Sequence, residues 1–370
     1  MQKRKIFGRI LPSILSVVLL LHTLTACEMN SLVPGDKDSG NQSVSENDEN
    51  SEKSNPADSS DKPTSAPLVF HPLTGLSCSE SAANIRPMAF MLGNTDAALP
   101  QYGTSYADIL VEAPMQDGST KLLLVTTRYA EIPKIGSIRA STDYCRDIAA
   151  FFGAALVHAG TADGSVGTDI SGNNIVSTVK NSGAFYKEQG RLSPHNIFTT
   201  GTLFQNTLRQ TGINTLADAA TPVFRFAKDS ETLSLSGKIA THVGIQYSST
   251  QRTDFRYNAK TGLYTRYANG VAQKDALNDK LLTAQNVLIL YCDSTLSETA
   301  ESATLSLSME SGSGVYAVDG SYISVLWHKD DDGQLILSRI DGSELVVYPG
   351  VTHIELVKSS NKSGVTFDCN

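Results

Sequence analysis

The chain has one tryptophan and five cysteines in 370 residues, and no two cysteines form a Cys-x-x-Cys pair. Thiols this scattered exclude zinc-ribbon and thioredoxin-like chemistry, and their spacing does not reveal a disulfide pairing. Basic charge is also in short supply. Thirty Lys and Arg stand against 38 Asp and Glu, a net charge of −8. That balance argues against a nucleic-acid partner, which would call for a basic face. No apolar run reaches the roughly 20 residues that a helix needs to cross a bilayer. There is no Gly-x-Ser-x-Gly elbow, no Walker loop and no His-Glu-x-x-His, so the common hydrolase, P-loop and zinc-protease signatures are absent.

What is present starts at the N-terminus. Lys3, Arg4, Lys5 and Arg9 precede an apolar stretch from Ile10 to Leu21, and Leu24-Thr25-Ala26-Cys27 follows. A basic segment, a short apolar segment and small residues before a cysteine are the parts of a lipoprotein signal peptide, here residues 1–26. The expectation is cleavage before Cys27 and lipidation of that cysteine. Residues 27–66 are rich in Ser, Asn, Asp and Glu, with nine acids and three lysines from Glu28 on. So little apolar surface cannot offset chain entropy, which predicts a disordered acidic tether. Its charge also disfavours electrostatic docking on anionic lipid, leaving the lipid on Cys27 as the membrane anchor.

About 300 residues remain, enough for one large or two medium domains. In the first half, strand and helix patterns alternate. Pro87–Leu92, Lys121–Tyr129 and Ala155–His158 read as buried strands, and Tyr106–Glu112 as a turn leading into a strand. Thr142–Phe152 and Gly201–Arg209 have helical spacing, the first with Ser141 or Thr142 as a cap. The second half reads as short strands between Gly, Asp and Asn turns, with a helix around Asp275–Leu282. The fold class expected is α+β: a mixed α/β part at 67–220, followed by a strand-rich part at 221–370.

Three clusters could carry chemistry. Arg86, Arg128 and Arg139 lie beside strands, and Gly136–Tyr144 is a glycine turn opening a helix. Backbone N–H groups, an arginine and hydroxyls there can hold an anion. The alternative is a capped helix whose Arg139 pairs with Asp143 or Glu112. The second cluster is acidic: Asp108, Glu112 and Asp117, with Asp163 or Asp169 as further metal ligands. No compact metal motif supports that, so solvated loop acids are expected, and neither metal nor cofactor. The third is histidine: His158 at a strand end, and His195 within Arg191-Leu192-Ser193-Pro194-His195-Asn196. Histidines in such places more often support structure than catalyse.

The order of several short motifs resembles the YerB-like lipoproteins, envelope proteins of Gram-positive bacteria with a two-part domain of unknown function. These motifs are Pro72-Leu73-Thr74-Gly75, Arg86–Met91, Tyr106–Pro114, Lys134–Arg139, Pro194-His195-Asn196, Tyr264-Thr265-Arg266 and Trp327-His328-Lys329. The chain departs from that pattern at Gln116–Lys121 and Arg139–Thr142, where an acid and two arginines of the family are replaced, which weakens an anion site. The resemblance implies fold and location more than activity. The expected function is a lipid-anchored envelope module that binds a cell-wall polymer or a membrane partner. The alternative is an enzyme on a phosphate-containing glycan or lipid-linked substrate. Arg86, Arg128 and Arg139 would then hold phosphate, with Asp108 or Glu112 on a metal or a proton.

Overall fold

The computed structural model describes residues 69–160, 175–178, 181–217, 221–228, 235, 237–298 and 303–368. The expectations for the signal peptide, Cys27, the tether, Asp163, Asp169 and Cys369 fall outside those residues. Strands dominate, with three α-helices among the described residues: Glu80–Ala83, Tyr144–Phe151 and Gly201–Thr211. None of them is long and apolar enough to cross a membrane.

An 11-stranded sheet organises the molecule. Its middle runs Ser311–Val318, Asn286–Cys292, Thr352–Lys358, Ile109–Pro114, Thr120–Thr126, Met88–Gly93, Ala155–His158. Asn286–Cys292, Thr352–Lys358 and Ile109–Pro114 run parallel, and the hairpin of Ile109–Pro114 with Thr120–Thr126 is antiparallel. Residues on both sides of position 220 therefore share one continuous sheet.

The central strands are buried along almost their whole length because both of their faces are covered. Ala89 and Met91 belong to one core with Tyr144, Ile148 and Phe151 of the Tyr144–Phe151 helix. Their neighbours Met88, Phe90 and Leu92 belong to a second core with Phe204 and Leu208 of the Gly201–Thr211 helix. Farther along the sheet, Val287 and Ile289 pack against Val243, Ile245 and Phe255 of a separate six-stranded sheet. Side chains alternate between faces with a period of two, so each strand feeds two cores.

Both expected long helices form. The Gly201–Thr211 helix is capped by the Thr200 hydroxyl, which accepts from the Leu203 N–H. The Tyr144–Phe151 helix starts at Asp143 without a side-chain cap bond. Asp275–Leu282 is a turn rather than a helix. The buried Asp275 carboxylate accepts from the Gly103, Ser105 and Leu277 N–H groups, and Asp279 takes φ +56°. Those bonds compete with the helix ladder. Thr352–Lys358 is a central strand that apolar patterning does not reveal, because its buried positions include His353 and Glu355. Cys78, Cys145 and Cys292 are free thiols.

Candidate functional site

The sheet register sorts the expected site residues into two groups. Met88 lies opposite Thr126, and Gly93 lies opposite Lys121. Six residues of strand separate the two ends by roughly 17 Å. Arg86, Arg128 and Asp108 sit at the first end. Arg139, His158 and His195 gather at the second, where Met88–Gly93, Ile109–Pro114 and Ala155–His158 finish. The expected phosphate clamp of Arg86, Arg128 and Arg139 with Asp108 therefore does not assemble.

The residues of the first end are engaged locally. Asp108 is buried and accepts from the Thr127 N–H at 2.8 Å and the Thr127 hydroxyl at 3.1 Å. Arg128 stands 3.9 Å from Asp108 and lies over the Tyr106 ring. The Arg86 guanidinium donates to the Gly153 carbonyl.

At the second end, the segment Ser137–Ser141 is stitched to several strands. The Arg139 N–H donates to the Met91 carbonyl, the Ala159 N–H to the Arg139 carbonyl and the Ile138 N–H to the Ile197 carbonyl. Gly93 is required here for close approach, since a Cβ would lie 2.6 Å from Ala98 and 3.2 Å from the Arg139 stem. The half-buried Arg139 side chain donates to the Pro194 carbonyl at 2.6 Å. It makes no ion pair with Asp143 or Glu112, the two partners expected from sequence. Lys121 is buried and donates to the Ala140 carbonyl at 2.7 Å. Burial pushes its ammonium down to about 8, and Arg139 pushes the same way against Cys145 and Asp117. His195 lies near Arg139 and Arg191. Burial, then Arg139 and Arg191, lower its pKa, and its Nδ1 is buried without a hydrogen-bond partner, as is the Ser137 hydroxyl.

Arg191 plays a different part. It donates to the Ala98 and Pro100 carbonyls at 3.0 Å each and pairs with Glu188 at 3.4 Å. Lys134 pairs with the same Glu188 and lies over the rings of Tyr102 and Phe198. Arg191 thus clamps the loop that presents His195. Asn196 contributes its carbonyl to the Glu188 N–H. His158 is buried, its Nδ1 is 2.6 Å from the Gly160 carbonyl, and burial lowers its pKa.

Glu112 lies near this end but is sealed inside the protein. Its carboxylate accepts from Arg266 at 2.6 Å, Thr120 at 2.6 Å, Thr253 at 2.8 Å and Asn94 at 3.0 Å. Burial opposes its ionisation, yet the Arg266 charge and these bonds hold its pKa below the usual range. Glu355 is its register partner on the adjacent parallel strand and accepts from the Tyr247 hydroxyl at 2.6 Å. Burial and the Glu112 charge raise its pKa well above normal. The pairing of Arg266 with Glu112, and the place of Glu355 beside them, escape sequence reasoning because the three residues lie more than 80 positions apart from one another and meet only through the sheet register. Among the described residues, no three His, Cys, Asp or Glu side chains are grouped as metal ligands.

Two family models match the chain. "Protein of unknown function (DUF3048) N-terminal domain" matches residues 73–214, and the C-terminal domain of the same family matches residues 243–354. The chain belongs to this family. The Glu112–Arg266 ion pair joins the family's two domains, one residue from each. Over 308 residues the chain is 25% identical to "Putative lipoprotein YerB" of Bacillus subtilis (strain 168), and the match covers 82% of this chain and 91% of YerB. The crystal structure of YerB from Bacillus subtilis superposes with a TM-score of 0.72 at 23% identity, covering 81% of this chain and all of that one.

Proposed function

We propose that this family member is a lipid-anchored, non-catalytic binding protein of the cell envelope. Cys27 carries the lipid, the folded part stands on the extracytoplasmic face, and the ligand is an anionic, phosphate-containing wall polymer. The anchor follows from the order of basic segment, apolar segment and Leu24-Thr25-Ala26-Cys27. The lipoprotein name of YerB agrees with it.

The observation that carries the ligand class is the pair of cations at the strand ends. Lys121 is buried and Arg139 half-buried, and among the described residues each donates to a backbone carbonyl and neither forms an ion pair with a carboxylate. Leaving a buried cation without a counter-charge is costly. A phosphate placed there would supply that charge. Strand carboxyl ends are also a common place for ligands in open sheets.

Two measurements test this. Cys27→Ala should move the protein from the membrane fraction to the soluble fraction, and retention in the membrane would refute the anchor. Polyphosphate binding by calorimetry should weaken about tenfold in K121Q or R139Q, a loss of about 1.4 kcal/mol per contact. It should also weaken from pH 7 to pH 9 in the wild type, as Lys121 loses its proton, but not in K121Q. Binding that ignores both substitutions would overturn the ligand reading.

A further inference from the structure

The hairpin of Ser294–Glu298 with Ala303–Leu307 stands apart from the large sheets as a two-stranded sheet of its own. Its two strands are used differently. Leu305 and Leu307 are buried in the core that also holds Tyr144 and Trp327. Across from them, Thr295, Leu296 and Ser297 are exposed. Leu296 keeps 52% of its surface in water, although it lies opposite the buried Leu305. The strand is paired on one side only. Among the described residues, no group outside the hairpin bonds to Thr295, Leu296 or Ser297.

An open strand edge is a row of N–H and C=O groups, and the occupant it specifies is another extended backbone. Natural proteins blunt such edges with Lys, Pro or a bulge. Ser294-Thr295-Leu296-Ser297 has no charged residue, no Pro and no Gly. Its register with Ala303–Leu307 runs without a break from Ser294 to Glu298, so no bulge turns the edge away.

We propose that this edge pairs with the same edge of a second copy of the chain, antiparallel and centred on Leu296. A twofold axis through an antiparallel ladder sets one residue opposite itself. With Leu296 at the axis, Thr295 stands opposite Ser297 of the second copy, and Ser294 opposite Glu298. No two acids are opposed, and Asp293 lies beyond the ladder. Directly opposed residues share a face, so the two half-exposed leucines cover each other. Centring on Thr295 instead would set each Leu296 against Ser294 and lose that contact. Two five-residue strands bury less than the roughly 1,200–2,000 Å² of a stable interface, so the pair is transient. It involves neither Lys121 nor Arg139 and stands whether or not they bind phosphate.

The test is disulfide cross-linking of the full chain in isolated membranes, with Cys78 and Cys369 replaced by Ser and one new cysteine introduced. Opposed residues in such a ladder have Cα atoms about 4.5–5.5 Å apart, within disulfide range. Leu296→Cys should therefore give a covalent dimer on mild oxidation. Ser297→Cys would lie roughly 8 Å from its own copy, outside that range, and should give about tenfold less. Chains carrying Thr295→Cys and Ser297→Cys, expressed together, should cross-link to each other. The proposal is overturned if L296C gives no more dimer than the chain without the new cysteine, or if L296C and S297C cross-link equally. Cross-linking of L296C only to a different protein would overturn it in favour of a foreign strand. Should L296C not accumulate, the mixed pair decides: dimer from the mixture but from neither variant alone supports the register, and no dimer from the mixture refutes it.

Discussion

Glu112 and Glu355 lie side by side on parallel strands, and one guanidinium, that of Arg266, faces the pair. Two buried carboxylates sharing one cation do not both ionise. Glu112 keeps the charge and Glu355 keeps a proton. Glu355→Gln should therefore cost about 1 kcal/mol or less, since a neutral amide replaces a neutral acid and still accepts from Tyr247. The double variant E112Q/E355Q leaves Arg266 with no carboxylate and should cost about 3–5 kcal/mol in urea unfolding. Equal effects of E355Q and the double variant would show that Glu355 carries the charge. Lys121 makes a pH prediction. Its folded pKa near 8 lies below the unfolded value of 10.5, so above pH 8 the unfolded chain binds more protons and stability rises with pH. Wild type should therefore gain stability relative to K121M between pH 8 and pH 9.5; a constant difference would refute the shift.

Among the elements, the Gly201–Thr211 helix depends most visibly on a single local bond. Thr200 caps it, and Phe204 and Leu208 bury its inner face in the second core. Thr200→Ala should lower stability by about 1 kcal/mol, while Thr200→Ser should be close to neutral, as read by thermal melts. This helix was legible because a capping hydroxyl and helical apolar spacing are local signals. The Thr352–Lys358 strand was not, although it lies at the centre of the sheet. His353 and Glu355 break its apolar run, and both are tolerated only because Tyr247, Arg266 and Phe255 from other segments surround them. The failure of the helix expected at Asp275–Leu282 to form has the same origin. Its apolar residues suit a helix, but the Asp275 carboxylate finds N–H partners 170 positions away.

At the scale of the whole molecule, the family's two domains are not two cores. Ile109–Pro114 pairs with Thr352–Lys358, and Glu112 of the first domain binds Arg266 of the second. A fragment of residues 67–220 would expose a strand edge and an uncompensated buried carboxylate. Produced alone, it should be insoluble or lack cooperative unfolding, and co-expression with residues 221–370 should restore a soluble complex. A monomeric, cooperatively melting 67–220 fragment would contradict this.

The sequence by itself determined what depends on local order and composition: the two long helices and several of the longer strands. Each of these is written within a window of about 20 residues or fewer, where periodicity and capping act. Tertiary structure alone decided which charges meet. Arg139 could have paired with Asp143 or Glu112, but the strand register carries Glu112 to Arg266 and leaves Arg139 beside Lys121 and His195. The stretch around His195 became one wall of a basic cluster for the same reason. Coulombic and hydrogen-bond partners are chosen by distance in space, and in a sheet that joins residue 112 to residue 355 that distance bears no relation to position along the chain.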